Sequence, residues 1–125
     1  MGAWGEDAMQ NDTALDWLRA HVEEPLAATI AETMNGYLQG RTPPAEAEAA
    51  VALLIDHSGT PGAGRYRAID LGPAAEERGL WDLAEKVVNR LLADSSWIDT
   101  WLEPAIKVDA LKALLDDVQG REKVG

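Results

Sequence analysis

The stretch Leu80–Ala93, LWDLAEKVVNRLLA, constrains the fold more than any other part of the chain. Turned at about 100° per residue it divides into two halves. Leu80, Trp81, Leu83, Ala84, Val87, Val88, Leu91 and Leu92 share one side, and Asp82, Glu85, Lys86, Asn89 and Arg90 share the other. That apolar arc is much wider than the two-position seam of a coiled coil, so several neighbours must cover it at once. Other helices are the only candidates, because no run of Val, Ile and Thr alternates in strand fashion. The reading is an all-α single domain over residues 1–125, a bundle of about five helices with an extended N-terminal lead, antiparallel where connections are short.

Residues 1–10 lack a helical period and form the lead, with Trp4 expected to pack back on the body. Asn11 or Asp12 caps a first helix, with Thr13 and Asp16 as a capping-box-like pair. Ala14, Leu15, Leu18 and Val22 form its stripe, and Trp17 and His21 sit together at the edge. Pro25 restarts the chain as a first-turn proline, and Leu26, Ile30, Thr33, Met34 and Tyr37 make the next apolar face up to Gly40. Thr42-Pro43 opens an alanine-rich helix to about Ser58, with Ala47, Val51, Leu54 and Ile55 inward. Gly59–Gly72 reads as a long loop. In phase with the organising helix, Glu76 and Glu77 would fall on its apolar face, so Gly79 is expected to reset the helix after a separate turn. Ser95 or Ser96 caps a short helix carrying Trp97 and Trp101, with Asp99 in its first turn. After Pro104, the residues Ile106, Ala110, Leu111, Leu114, Leu115 and Val118 mark a last helix that stops near Gly120, leaving 121–125 as a frayed tail.

Composition narrows function by exclusion. A chain of 125 residues buries roughly two-thirds of its unfolded surface, so it needs no metal or disulfide to fold. With 0 Cys there is no disulfide, thiolate nucleophile or cysteine-ligated zinc. The opening MGAWGEDAMQ has no basic region before an apolar run, and no apolar stretch approaches the roughly 20 residues of a membrane span. Glu6 stands where Gly2 acylation requires Ser or Thr. A cytoplasmic location is the expectation. Lys and Arg number 11 against 22 Asp and Glu, a net charge of −11. Nucleic acid and anionic membrane would be repelled, and a basic protein attracted. The plainer account of the acidity is solubility, since the acids are spread along the chain.

Motifs of catalysis fail on inspection. Gly59–Tyr66 has the spacing of a phosphate loop, but Arg65 and Tyr66 replace its lysine and hydroxyl, and a helix precedes it instead of a strand. His57 fits a helix C-terminus, His21 a packing contact, and neither has a second histidine at ligand spacing. The pairs Glu23-Glu24, Glu76-Glu77 and Asp116-Asp117 point about 100° apart on a helix and do not converge. No catalytic residue, metal ligand or cofactor is expected. The tryptophans say more, with Trp 5 against Phe 0. Trp81, Trp97 and Trp101 suit a core that lacks Phe. Alternatively Trp97 and Trp101 line a groove rimmed by Asp94 and Asp99, where a basic side chain stacks and pairs.

The segment MGAWGEDAMQNDTALDWL, through Met1, Gly2, Ala3, Trp4, Gly5, Met9, Asn11, Asp12, Thr13, Ala14, Asp16 and Trp17, resembles the opening of a bacterial family catalogued as the domain-of-unknown-function 4259 family. Asp94-Ser95 followed by Trp101 is similar to that family's Asp-Ser-Glu-Leu-x-Glu-Leu-Trp. Ser96 and Trp97 depart from it, and Asp99 takes the second Glu position. The resemblance implies no activity. It implies that the lead and the Asp94–Trp101 junction pack together, with Asn11, Asp12, Asp16, Asp94 and Ser95 as caps or as a site.

The leading expectation is a protein-binding module, an acidic antagonist or immunity-type protein against a basic partner. An alternative is a small-ligand or enzymatic pocket between the lead and the Trp97–Trp101 junction, using Asp12, Asp16, Asp94 or Asp99. A structural homo-oligomer module is the third reading.

Overall fold

A computed structural model describes residues 12–58 and 69–124. Among them the regular structure is entirely helical. The elements are α1 (Asp12–Leu18), a π-helical turn (Arg19–Glu23), α2 (Glu24–Leu38), α3 (Pro44–Asp56), α4 (Gly72–Arg78), α5 (Leu80–Ala93), α6 (Ser95–Ile98) and α7 (Pro104–Val124). The lead with Trp4, the Asn11 cap position and most of the Gly59–Gly72 loop lie outside the described residues.

Pro25 does not restart the chain. It has no N–H, so a regular α-helix running through it would leave the His21 carbonyl without a donor and pressed by the ring. The backbone answers by widening one turn: Glu24 N–H donates to Arg19 O, five residues back. From Asp12 to Leu38 the chain is therefore one rod. Gly40, at φ +79°, turns it back into α3. Thr42 is not the cap of α3; the N-cap position belongs to Pro43, and Thr42 packs against Gly36. A Cβ on Gly36 would collide with Thr42 Oγ1, so a larger residue there must displace the Thr42 side chain. Further on, Gly79 at φ +65° ends α4 and begins α5, which leaves Glu76 and Glu77 exposed as the phase argument required.

Side-chain contacts show the direction of each helix. Arg78 pairs with Glu24 at 3.4 Å, and Arg90 donates to Leu38 O at 2.6 Å, so α5 runs parallel to α2. Lys107 pairs with Glu48 near the start of α3, and Arg121 donates to Ser58 O just past its end, so α7 runs parallel to α3. With the short α2–α3 connection these tethers give an up-down-up-down bundle of α2, α3, α5 and α7. Its core contains Ile30, Met34, Val51, Leu54, Leu80, Val87, Val88, Leu91, Leu111 and Val118. Helix α5 packs on α2, α3 and α7 together, as its wide apolar arc demands.

The last helix differs from expectation at both ends. Ile106 and Ala110 are exposed, while Leu111 and Val118 are buried. Ile106 lies about 140° round the helix from Leu111, off the buried stripe. Gly120 does not stop α7, which continues to Val124, so most of 121–125 is helical.

Candidate functional site

One end of the bundle gathers Asp94, Asp99, Trp97 and Trp101. There α2 and α5 finish, α3 begins, and α6 leads into α7. Asp94 is the residue between α5 and α6. Its Oδ1 accepts the Trp97 N–H at 3.1 Å, so the N-cap is Asp94 and not Ser95 or Ser96. Asp99 falls at the C-cap of α6 and is exposed.

This cap brings Trp97 and Trp101 together edge to face, with centroids 6.0 Å apart and planes at 87°. A basic side chain of the chain itself lies over the rings, and its counter-charge is Glu48 instead of Asp94 or Asp99. Lys107 Nζ lies 5.1 Å from the Trp97 centroid and 4.1 Å from that of Trp101, and it pairs with Glu48. The lysine side chain is only 11% exposed. Two indole faces and a carboxylate thus compensate a nearly buried ammonium. The aromatic slot is filled from within.

What stays open is the outer edge of that junction. Leu102 is 98% exposed, Ile106 61% and Trp101 43%. Trp101, Leu102, Glu103, Ile106, Lys107 and Ala110 line a shallow, mainly apolar depression of about 330 Å³. Exposed acids lie in the same stretch: Asp99, Glu103 and Asp109. Leu102 escapes sequence reasoning because it lies in an irregular stretch between α6 and α7, with no periodicity to flag it. Ile106 reads as inward from helical spacing and faces out.

On the other side of Asp94 is a second concavity, of about 490 Å³, lined by Tyr37, Gly40, Thr42, Pro44, Arg90, Ala93 and Asp94. Tyr37 is buried, and among the described residues its hydroxyl has no hydrogen-bond partner. Burial, followed by the nearby Asp94 charge, pushes the phenol pKa up from its usual value, with Arg90 opposing. The Arg90 guanidinium carbon lies 5.5 Å from the Tyr37 centroid. Nothing in the Tyr37 spacing distinguishes it from an ordinary core aromatic.

The remaining candidates fall elsewhere. Asp16 and Trp17 are exposed near the far end of the α1–α2 rod, about 30 Å from Leu38 by helical rise. Trp17 stacks on His21 at 5.3 Å. The structure therefore does not bring Asp16 together with Asp94, Asp99, Trp97 and Trp101. The side chain of Asp12 lies outside the described residues. Trp81 is at the opposite end of α5 from Trp97, beneath Arg121 at 5.5 Å. Glu23 accepts the Asp70 N–H at 2.8 Å and Glu24 holds Arg78, so this acid pair tethers the fold. His57 occupies the C-cap of α3. Among the described residues no group of three or more His, Cys, Asp or Glu is placed to hold a metal ion, and no helix is long and apolar enough to cross a membrane. Comparison with family models, with curated proteins and with solved structures finds no match for the chain.

Proposed function

We propose that the protein works by binding a basic protein partner through the face made by Trp101, Leu102 and Ile106. The observation that carries this reading is Leu102, 98% exposed beside Ile106 and Trp101. Single exposed apolar residues are ordinary; a contiguous set with an aromatic anchor and a polar rim has the composition of an interface centre. Asp99, Glu103 and Asp109 supply acidic groups around it, and the whole chain carries −11. A partner with apolar side chains amid Lys and Arg fits that surface. A second copy of this chain fits it worse, because it would set the same acids against each other.

The two components have separate roles. The net charge attracts a basic protein over distances up to about a Debye length and speeds encounter. Burial of Leu102 and Ile106 then holds the complex, at about 25 cal/mol per Å² of apolar area removed from water. An antagonist of a basic toxin or enzyme in a bacterial cytoplasm is a role consistent with this division, and with the resemblance of Met1–Leu18 to the domain-of-unknown-function 4259 family.

Capture from an extract of the native cell tests the reading. The immobilised protein is compared with the Leu102→Asp/Ile106→Asp double variant at low and high salt. The expected result is a basic protein retained by the wild type, lost on the variant and weakened by salt. Retention that the double variant leaves unchanged, or no retained protein at low salt, would contradict it.

A further inference from the structure

We propose a second, independent site for a small zwitterion of the α-amino acid class, in the groove between the end of α2, the α2–α3 connection and the end of α5. The groove is open, with a volume of about 490 Å³. Two opposite charges line it, with no ion pair to either among the described residues, and each is tethered to the backbone: Arg90 donates to Leu38 O at 2.6 Å, and Asp94 accepts from Trp97 N–H at 3.1 Å. A guanidinium has five N–H donors in a fork, so the Leu38 bond leaves it able to grip a carboxylate. A carboxylate has two oxygens, so capping α6 leaves Asp94 able to accept from an ammonium.

The third group is the Tyr37 hydroxyl, on a residue more than nine-tenths buried and without a partner among the described residues. Buried polar groups are nearly always satisfied, and an exception asks for an explanation. A ligand carboxylate supplies one. It takes the hydroxyl proton in a hydrogen bond while Arg90 neutralises it. The phenol is suited to donate, since its neighbourhood favours the neutral form. Arg90 is itself exposed, lies over the ring at 5.5 Å from its centroid, and lines the same groove. Thr42, Pro44 and Ala93 complete the lining, and Pro44 and Ala93 give the ligand side chain an apolar bed. A ligand carrying both charges meets Arg90 and Asp94 at once, whereas a ligand with one charge meets only one of them.

Heteronuclear NMR titration of the full chain with each free L-α-amino acid tests this. At least one is expected to bind, shifting Tyr37, Thr42, Arg90 and Asp94 together. Its N-acetyl and its carboxamide derivatives, each lacking one charge, are expected to bind at least ten-fold more weakly. Tyr37→Phe gives a second readout. It removes an unsatisfied hydroxyl, so the melting temperature stays or rises while affinity falls at least ten-fold. Asp94→Asn keeps a good helix cap and is expected to lose affinity without unfolding. Absence of binding by every amino acid, or equal binding by Tyr37→Phe, would overturn the proposal. The Leu102→Asp/Ile106→Asp variant should bind the amino acid normally, so this site and the protein-binding face fail or stand separately.

Discussion

Lys107 places its charge where water barely reaches, between two indoles and Glu48. Removing one member of a largely buried pair strands the other, whereas replacing both with apolar groups of similar shape is often nearly neutral. Lys107→Met is therefore expected to lower unfolding stability by about 2 kcal/mol, and adding Glu48→Leu to recover most of it. Urea unfolding of the two single variants and the double variant measures this coupling. The sequence carries a signal for it. Lys107, Leu111, Leu114 and Val118 follow helical spacing, so Lys107 lies on the buried stripe, and a lysine there implies a counter-charge. Tyr37 yields a prediction at high pH. Its phenol has a pKa raised above the usual 10.0 in the folded chain, so the folded state resists ionisation. Its contribution is constant below pH 10 and is lost as pH rises from there through the folded value, because the unfolded chain releases the proton more readily. Tyr37→Phe should flatten the fall in stability above pH 10. Ultraviolet titration of the wild type should show one of its 2 tyrosines ionising above the ordinary range.

At the level of elements, two glycines that look alike in sequence act in opposite ways. Gly79 adopts φ +65° between α4 and α5, a conformation that disfavours any side chain. Gly120 sits within α7, where an added Cβ would meet nothing within 4 Å, so it only loosens the helix. Gly79→Ala should destabilise by about 1 kcal/mol and Gly120→Ala should stabilise by about 0.5–1 kcal/mol, both read by thermal melting. Phase distinguishes Gly79, because Glu76 and Glu77 could not share the apolar face of α5. No such conflict surrounds Gly120, and helix periodicity alone does not tell a stop from a tolerated glycine. Pro25 misleads for a related reason. A proline looks like a first-turn residue whether the helix starts there or widens by one residue to pass it. Helix α5 itself is legible because its pattern is redundant. Leu91, fully buried where α5 meets its neighbours, should cost about 3 kcal/mol on truncation to Ala, seen as a lower denaturant midpoint.

Across the whole molecule, the all-α bundle follows from periodicity, since each helix carries a face that only another helix can cover. The direction of the helices does not. It shows in Arg78–Glu24, Arg90–Leu38, Lys107–Glu48 and Arg121–Ser58, contacts 52 to 63 residues apart that no local pattern announces. The site is half legible for the same reason. Asp94, Trp97 and Trp101 are neighbours in sequence and stay neighbours in space. Whether a ring faces solvent or a lysine depends on α7 returning across it. The exposed Trp101–Leu102–Ile106 face is what remains after that return, and the central claim is that it serves binding and contributes little to folding. Equilibrium unfolding of the Leu102→Asp/Ile106→Asp variant tests this most directly. The account predicts a denaturant midpoint within error of the wild type, together with loss of the captured partner. A midpoint lowered as far as that of Leu91→Ala would show the face to be part of the core and contradict the account.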